Sequence, residues 1–386
     1  MLIDGRTVPS GTVIETEVCL IGAGPAGIAI ARAFDNGPTS VCLLESGGFT
    51  GEKDTQALYE GINSGTILRE HQPYLSRSRI RVFGGTTIMW WGWCIPMRAI
   101  DFEERPWVAH SGWPFSKAVL DPYYARAASV LELKLYGKEF PGTESPPRPL
   151  LLENSERIDT HFFHLSPTFV GIRYRDELVN SRNVSLYLHA NLIDLRTNAN
   201  ASRVESVAVA SLDGNRFTVK ARYFVLCTGA IENARLLLLS NSVQKAGLGN
   251  DHDLVGRFFC DHPHLDVGHL LVSQPDRNME LYSFCPDRAY ARMGFLSIAD
   301  KTLREHRLRS LRIWLQPEEP QALPNLSRAV GKSIVKMDYP AQDGTVNEMP
   351  RQLRGLEPQD GLFFQLNVCC EVTPNPNNRV TLIVTA

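Results

Sequence analysis

The sequence lacks the runs and spacings that mark several large protein classes. No apolar stretch approaches membrane-spanning length, and Arg235-Leu236-Leu237-Leu238-Leu239-Ser240 is too short to count as one. The first ten residues hold Asp4 and no apolar h-region, so they do not read as a secretory leader. A formal charge of −2 offers nucleic acid or an anionic membrane no electrostatic hold. There is no C-x-x-C pair among Cys19, Cys42, Cys94, Cys227, Cys260, Cys285, Cys369 and Cys370. Cys19, Cys42 and Cys227 lie within apolar runs, where cysteine behaves as a small hydrophobe. A reduced, cytoplasmic setting follows as the simpler expectation. Cys260, Asp261, His262, His264 and Asp266 crowd together but match no recognised metal motif, so no metal site is expected. Internal repeats and coiled-coil heptads are absent too.

What is present is an ordinary globular composition, 43% hydrophobic and 21% charged over 386 residues, enough for two domains and a substantial core. The most informative segment is Gly22-Ala23-Gly24-Pro25-Ala26-Gly27. Glu17 to Ile21 before it reads as a buried parallel strand, Pro25 to Phe34 as a helix, and Val41 to Leu44 as the next strand. That setting lifts a bare G-x-G-x-x-G above chance. Gly22 permits the tight turn, Gly24 lets backbone approach a pyrophosphate, and Gly27 lets the helix pack against the strand. The free N–H groups at the helix start then hold phosphate. Glu45 ends the second strand, where a carboxylate accepts from an adenosine ribose and disfavours a 2′-phosphate. FAD or NAD, rather than NADP, is expected.

A second strand–glycine–helix unit follows later. Tyr223 to Cys227 runs into Thr228-Gly229-Ala230, and Ile231 to Ser240 reads as a helix. Two such units in one chain favour an FAD-type fold over a single NAD domain. Between them, Asp121 and Pro122 read as the cap and first residue of a helix over Tyr123 to Leu133. Four prolines over Pro141 to Pro149 read as a linker. Val184 to His189 reads as a strand, and Val204 to Ala210 with Arg216 to Lys220 as a hairpin around Asp213-Gly214. From Val267 the pattern becomes antiparallel, with strands over Leu308 to Leu315 and Gly361 to Val372 and an irregular stretch from Gln316 to Leu356. His161 and His164 fall in an aromatic stretch and read as core or surface residues.

The segment Gly84-Gly85-Thr86-Thr87-Ile88-Met89-Trp90-Trp91-Gly92-Trp93 places small and hydroxyl residues before flat aromatics. With the first fingerprint, Phe115, Gly256-Arg257-Phe258-Phe259 and Asn375-Pro376, the chain resembles the glucose–methanol–choline oxidoreductases. Asp101-Phe102 and Ser111 to Phe115 bring it nearer the sugar-oxidising branch, and the likeness covers nearly the whole chain. The resemblance implies an α/β fold, a Rossmann-like FAD-binding domain with a smaller antiparallel-sheet substrate domain. We expect residues 1–115 and 184–266 to form the FAD domain, 116–183 a helical or linker insertion, and 267–386 the substrate domain.

The resemblance also implies roles. Gly22, Ala23, Gly24, Pro25, Ala26, Gly27 and Glu45 would hold the ADP half of FAD. Gly84, Gly85, Thr86 and Thr87 would line its pyrophosphate and ribityl chain, while Trp90, Trp91, Gly92 and Trp93 approach the flavin. Leu192 would offer backbone to the adenine, and Thr228, Gly229 and Ala230 would close over the cofactor. Pyranose-oxidising relatives carry a flavin-linked histidine where this chain has Met89, so dissociable FAD is expected. The implied activity is oxidation of a CH–OH group of a small-molecule alcohol, sugar or polyol. The family's catalytic histidine lies beyond the segment resembling Asn375 to Leu382, so the resemblance implies a C-terminally truncated chain with no assigned catalytic residue. A non-catalytic flavin-binding remnant or subunit, and an NAD-dependent dehydrogenase, are the alternatives.

Overall fold

Apolar runs bounded by small residues pair into two separate sheets. The computed structural model describes residues 1–65, 73–133, 151–152, 155–272, 282, 292–317 and 362–383. The expected linker at 141–149, most of the irregular stretch from Gln316 to Leu356, and Cys285 lie outside the described residues. In chain order the strands are β1 (Leu2–Asp4), β2 (Val13–Ile21), β3 (Val41–Leu44), β4 (Trp93–Cys94), β5 (Ile158–Leu165), β6 (Val184–Leu188) and β7 (Asn191–Thr197). They continue as β8 (Val204–Ala210), β9 (Arg216–Leu226), β10 (His264–Val272), β11 (Arg292–Ile298), β12 (Leu311–Pro317) and β13 (Leu362–Cys370).

The first sheet runs β1-β6-β3-β2-β9-β8-β7. Its first five strands are mutually parallel, and β9-β8-β7 is an antiparallel meander. Val18 to Ile21 is apolar at every position because a central parallel strand is covered on both faces, and all four residues are buried. Ile21 lies level with Leu44 on one side and Leu226 on the other, so the carboxyl ends of β2, β3 and β9 open at one place. Cys19 and Cys42 are neighbours within this core, and burial pushes the Cys42 thiol well up, leaving it an inert hydrophobe.

The hairpin strand and the second nucleotide-type strand are one element. β9 pairs antiparallel with β8 over Arg216–Lys220 while pairing parallel with β2 from Thr218 to Leu226. The polar break at Ala221-Arg222 hides this continuity locally, whereas the β2 partner keeps the backbone extended through it. Gly214, at φ +95°, makes the connecting turn. A further correction concerns Pro122, which lies inside a helix spanning Lys117–Val130 rather than opening one. Lys117 pairs with Asp121 one turn on, which supports the residues before the proline.

The second sheet is wholly antiparallel, in the order β10-β13-β12-β11-β5-β4. Its packing centres on Tyr282, Leu296, Leu315 and Phe364, beside a second group of Phe163, Met293 and Phe295. The Phe163 and Phe295 rings lie 4.4 Å apart between centroids.

Each sheet anchors one compact unit. The first comprises Met1–Trp91, Thr168–Phe259 and Asn375–Ala386; the second comprises Gly92–Pro167 and Cys260–Pro374. These bounds differ from the expected division. Residues 92–115 join the antiparallel unit, and so does β5 from the expected insertion. Thr168 onward and the segment from Asn375 join the parallel unit. Hydrogen bonds fix that last segment: Phe259 N–H donates to the Asn378 carbonyl at 2.8 Å, and Val380 N–H to the Gly256 carbonyl at 2.8 Å. Such bonds join residues far apart in the chain and leave no local mark.

Candidate cofactor site in the parallel-sheet unit

The glycine turn after β2 is held by backbone packing. Gly22 has φ +101°, and a Cβ there would stand 2.7 Å from the Cys227 carbonyl oxygen of the neighbouring turn. A Cβ on Gly27 would lie 1.9 Å from the Gly22 carbonyl oxygen. Gly27 therefore lets the helix Pro25–Phe34 close onto its own entry turn. Gly24 differs, since a Cβ there would meet only the Cys227 oxygen at 3.8 Å. It serves as the N-cap with no side-chain cap, and Pro25 opens the helix. The first-turn donors are thereby left for a ligand.

Glu45 is buried beneath this turn. Its carboxylate accepts from Ala23 N–H at 2.9 Å and Gly47 N–H at 2.8 Å. Burial pushes its pKa up; the two backbone donors and the Arg81 charge pull it back. Gly84 N–H donates to the Ala23 carbonyl at 2.8 Å, tying the Gly-Gly-Thr-Thr segment to the first fingerprint. Gly85, at φ +54°, packs against Gly24, while the Thr87 hydroxyl donates to the Gly84 carbonyl at 2.6 Å. At the end of β9, Asn233 Oδ1 accepts from Thr228 N–H and from its hydroxyl, at 3.1 and 2.5 Å. Gly229, at φ +85°, then caps the helix Ala230–Leu239.

These elements enclose a cavity of about 660 Å³. Gly22, Gly24, Pro25, Ala26, Glu45, Gly85, Thr86, Thr87, Trp90, Leu192, Thr228, Gly229 and Ala230 all form its wall. Ala23, Gly27 and Gly84 stand behind that wall as supports. Trp91 is 74% exposed and does not line the cavity. Gly92 and Trp93 belong to the antiparallel unit, where Trp93 packs edge-on against Phe163 at 5.4 Å.

One part of the wall is not among the residues singled out in the sequence. Arg79 and Arg81 lie over the Tyr59 ring at 3.9 and 4.2 Å from its centroid. Glu232, only 3% exposed, accepts from Arg81 at 2.7 Å and from Arg235 at 2.5 Å, with Arg79 at 3.5 Å. Burial opposes ionisation of Glu232, but the arginines outweigh it and hold the pKa below the usual carboxylate value. Three guanidinium groups surround the Glu232 carboxylate, and Glu45 is a second carboxylate within reach of the Arg81 charge, so positive charge still exceeds negative there. Arg81 Nε is buried with no hydrogen-bond partner among the described residues. The local signal was there in Arg79-Ile80-Arg81 just before Gly84 and in Glu232 at the first turn of its helix.

No protein-family model matches the chain, and no curated protein does. Among solved structures it is similar to pyridoxine 4-oxidase from Mesorbium loti, at 16% identity and a TM-score of 0.49, over 92% of this chain and 71% of that one. A formate oxidase from Aspergillus oryzae, described for a mutation's effect on FAD modification, aligns at 15% identity and a TM-score of 0.45, over 95% and 74%. A fungal aryl-alcohol oxidase aligns at 14% identity and a TM-score of 0.41, over 68% and 55%. These neighbours are glucose–methanol–choline oxidoreductases.

Proposed function

We propose that this chain is a glucose–methanol–choline-type oxidoreductase that binds FAD without a covalent link and oxidises a CH–OH group of a small alcohol, sugar or polyol. The observation that carries the reading is the cavity at the carboxyl ends of β2, β3 and β9, walled by both glycine turns and by a cationic cluster. Its volume falls in the range of about 300–1,000 Å³ that accommodates ligands of this kind. The residues fit an anionic dinucleotide. The open face of Gly24 and the uncapped helix start suit a diphosphate. The buried Arg81 Nε and the unmatched charge around Glu232 call for an anion. Glu45 stays oriented by Ala23 and Gly47, with lone pairs left for a ribose hydroxyl. FAD, when bound, supplies the hydride acceptor. Trp90, in the cavity wall, contributes a flat apolar surface that excludes water. Met89, which is half-exposed, offers a thioether where pyranose-oxidising relatives offer a flavin-linked imidazole, so the cofactor should dissociate.

The visible absorption spectrum of the purified chain tests this directly. A flavin spectrum that is lost on denaturation and filtration supports dissociable FAD, and turnover of alcohols with an added electron acceptor supports the activity. A colourless protein that does not retain added FAD overturns the reading. NADH binding without flavin would point instead to a nicotinamide-dependent dehydrogenase.

A further inference from the structure

The edge of the antiparallel sheet brings together side chains that no local spacing connects. We propose that His262, His264 and Cys369 bind a divalent cation of borderline softness, of which Zn²⁺ is the type. His264 opens the edge strand β10 and stands directly opposite Cys369 of β13. His262 precedes it by two residues across Pro263, whose carbonyl accepts from Cys370 N–H at 3.3 Å. That bond ties the His-Pro-His segment to the strand carrying the thiol.

The donor atoms already converge. His264 Nε2 lies 2.7 Å from His262 Nδ1, and one ligand atom from each of the three residues lies within 4.8 Å of the others. Tetrahedral zinc with bonds of about 2.0–2.1 Å to nitrogen and about 2.3 Å to sulfur needs donor separations of roughly 3.3–3.6 Å. Both histidines are exposed, so their rings can reach that spacing without unpacking a core. The other nitrogen of His262 faces the Asp261 carboxylate at 3.8 Å. At that distance the carboxylate lends the site negative charge, which favours a cation, rather than a hydrogen bond to the ring. His264 also packs edge-on against Trp314 at 5.2 Å between centroids, which steadies its ring.

Two imidazoles and a thiolate form a set suited to zinc or cobalt rather than to magnesium or calcium. On binding, the Cys369 S–H bond breaks and its proton goes to solvent, the sulfur–metal bond forms, and no electron is transferred. Three protein ligands leave a position for water. The chelate would also pin the edge strand β10 to its neighbour.

The test uses the full chain, stripped with a chelator, dialysed, and titrated with Co²⁺ and then Zn²⁺. We expect a single equivalent of Co²⁺ to bind with intense thiolate-to-cobalt charge-transfer absorption, and Zn²⁺ to displace it. Cys369→Ser should lose the charge-transfer band, whereas Cys260→Ser, which removes the nearby exposed thiol, should keep it. His262→Gln changes an exposed side chain and should leave the far-ultraviolet spectrum unchanged while weakening zinc binding by about tenfold or more. Failure of the wild-type chain to take up either metal would overturn the proposal and leave a plain histidine–histidine hydrogen bond. A band that survives in Cys369→Ser would also overturn it. Neither result depends on flavin binding.

Discussion

At the first glycine turn, Gly27 sits where any Cβ would run into the Gly22 carbonyl at 1.9 Å; at the second, a Cβ on Gly229 would meet nothing within 4 Å. Both turns end adjacent parallel strands and start helices, yet the first is closed by backbone packing. The second is shaped by side-chain hydrogen bonds from Thr228 to Asn233 and stays open. Within the first turn the same contrast recurs, because Gly24 is nearly as free as Gly229. Glycine thus excludes a side chain for two separate reasons: the fold needs the space at Gly22 and Gly27, and a ligand can use it at Gly24.

Substitutions separate these reasons. Gly27→Ala should have the largest effect, about 4 kcal/mol of lost stability in denaturant unfolding, because the carbonyl it meets is backbone and cannot swing away. A loss below about 1 kcal/mol would mean that the turn relaxes and the contrast fails. Glu232→Gln should cost about 3 kcal/mol, because it leaves the buried Arg81 without its counter-charge. Added phosphate or FAD should recover more stability in this variant than in the wild type, read as a larger rise in unfolding midpoint. Gly229→Ala should cost about 2 kcal/mol through its φ of +85° alone, with no steric term. Gly24→Ala should change stability by less than about 1 kcal/mol, since its backbone is ordinary extended chain. It should nevertheless weaken FAD binding by about tenfold, measured by flavin fluorescence titration. Equal losses of stability in Gly24→Ala and Gly27→Ala would erase the distinction.

The two units should also respond differently to acid. Burial lowers the His161 pKa from 6.5, so the folded antiparallel unit binds fewer protons than the unfolded chain. Its stabilising share is complete above about pH 6.5 and is lost as pH falls below that value. In the parallel unit, Arg379 and Arg257 hold the Asp253 carboxyl down at about 2 against 3.8, and the pair ties the segment from Asn375 to residues 253–259. That contribution is present above 3.8 and is lost only as pH falls through about 2. Hydrogen exchange between about pH 7 and 4 should therefore loosen β5 and β11 while leaving residues 253–259 protected. Parallel loosening of both regions would contradict the assignment.

Legibility followed the range of the interactions. β3 and the helix Pro25–Phe34 match their expected bounds, and β2 ends at Ile21 as expected, because buried parallel strands and a proline-opened helix leave signals within a few residues. β2 begins earlier, at Val13, because its first half alternates with exposed residues and lacks the apolar run. β5 was hidden in an expected insertion, since its partners are β11 and β4, and short aromatic segments do not announce their pairing. Thirteen of the residues singled out do line the cavity, while Trp93 packs inside the second unit and Trp91 faces solvent. An aromatic run shows that flat side chains are available, and the turn at Gly92, with φ +76°, sends them to different places.

The sequence by itself determined the nucleotide-type turn, the order of strand, helix and strand around it, and the acid at Glu45, because each depends on backbone chemistry of neighbouring residues. Only the tertiary structure decided that Arg79 and Arg81 share Glu232, that β9 is one strand with two kinds of partner, and that Cys369 faces His264. The arginine cluster, the β2–β9 pairing and the Cys369–His264 pair join residues about a hundred or more positions apart, and the loop-closure entropy they overcome is repaid only when whole sheets assemble.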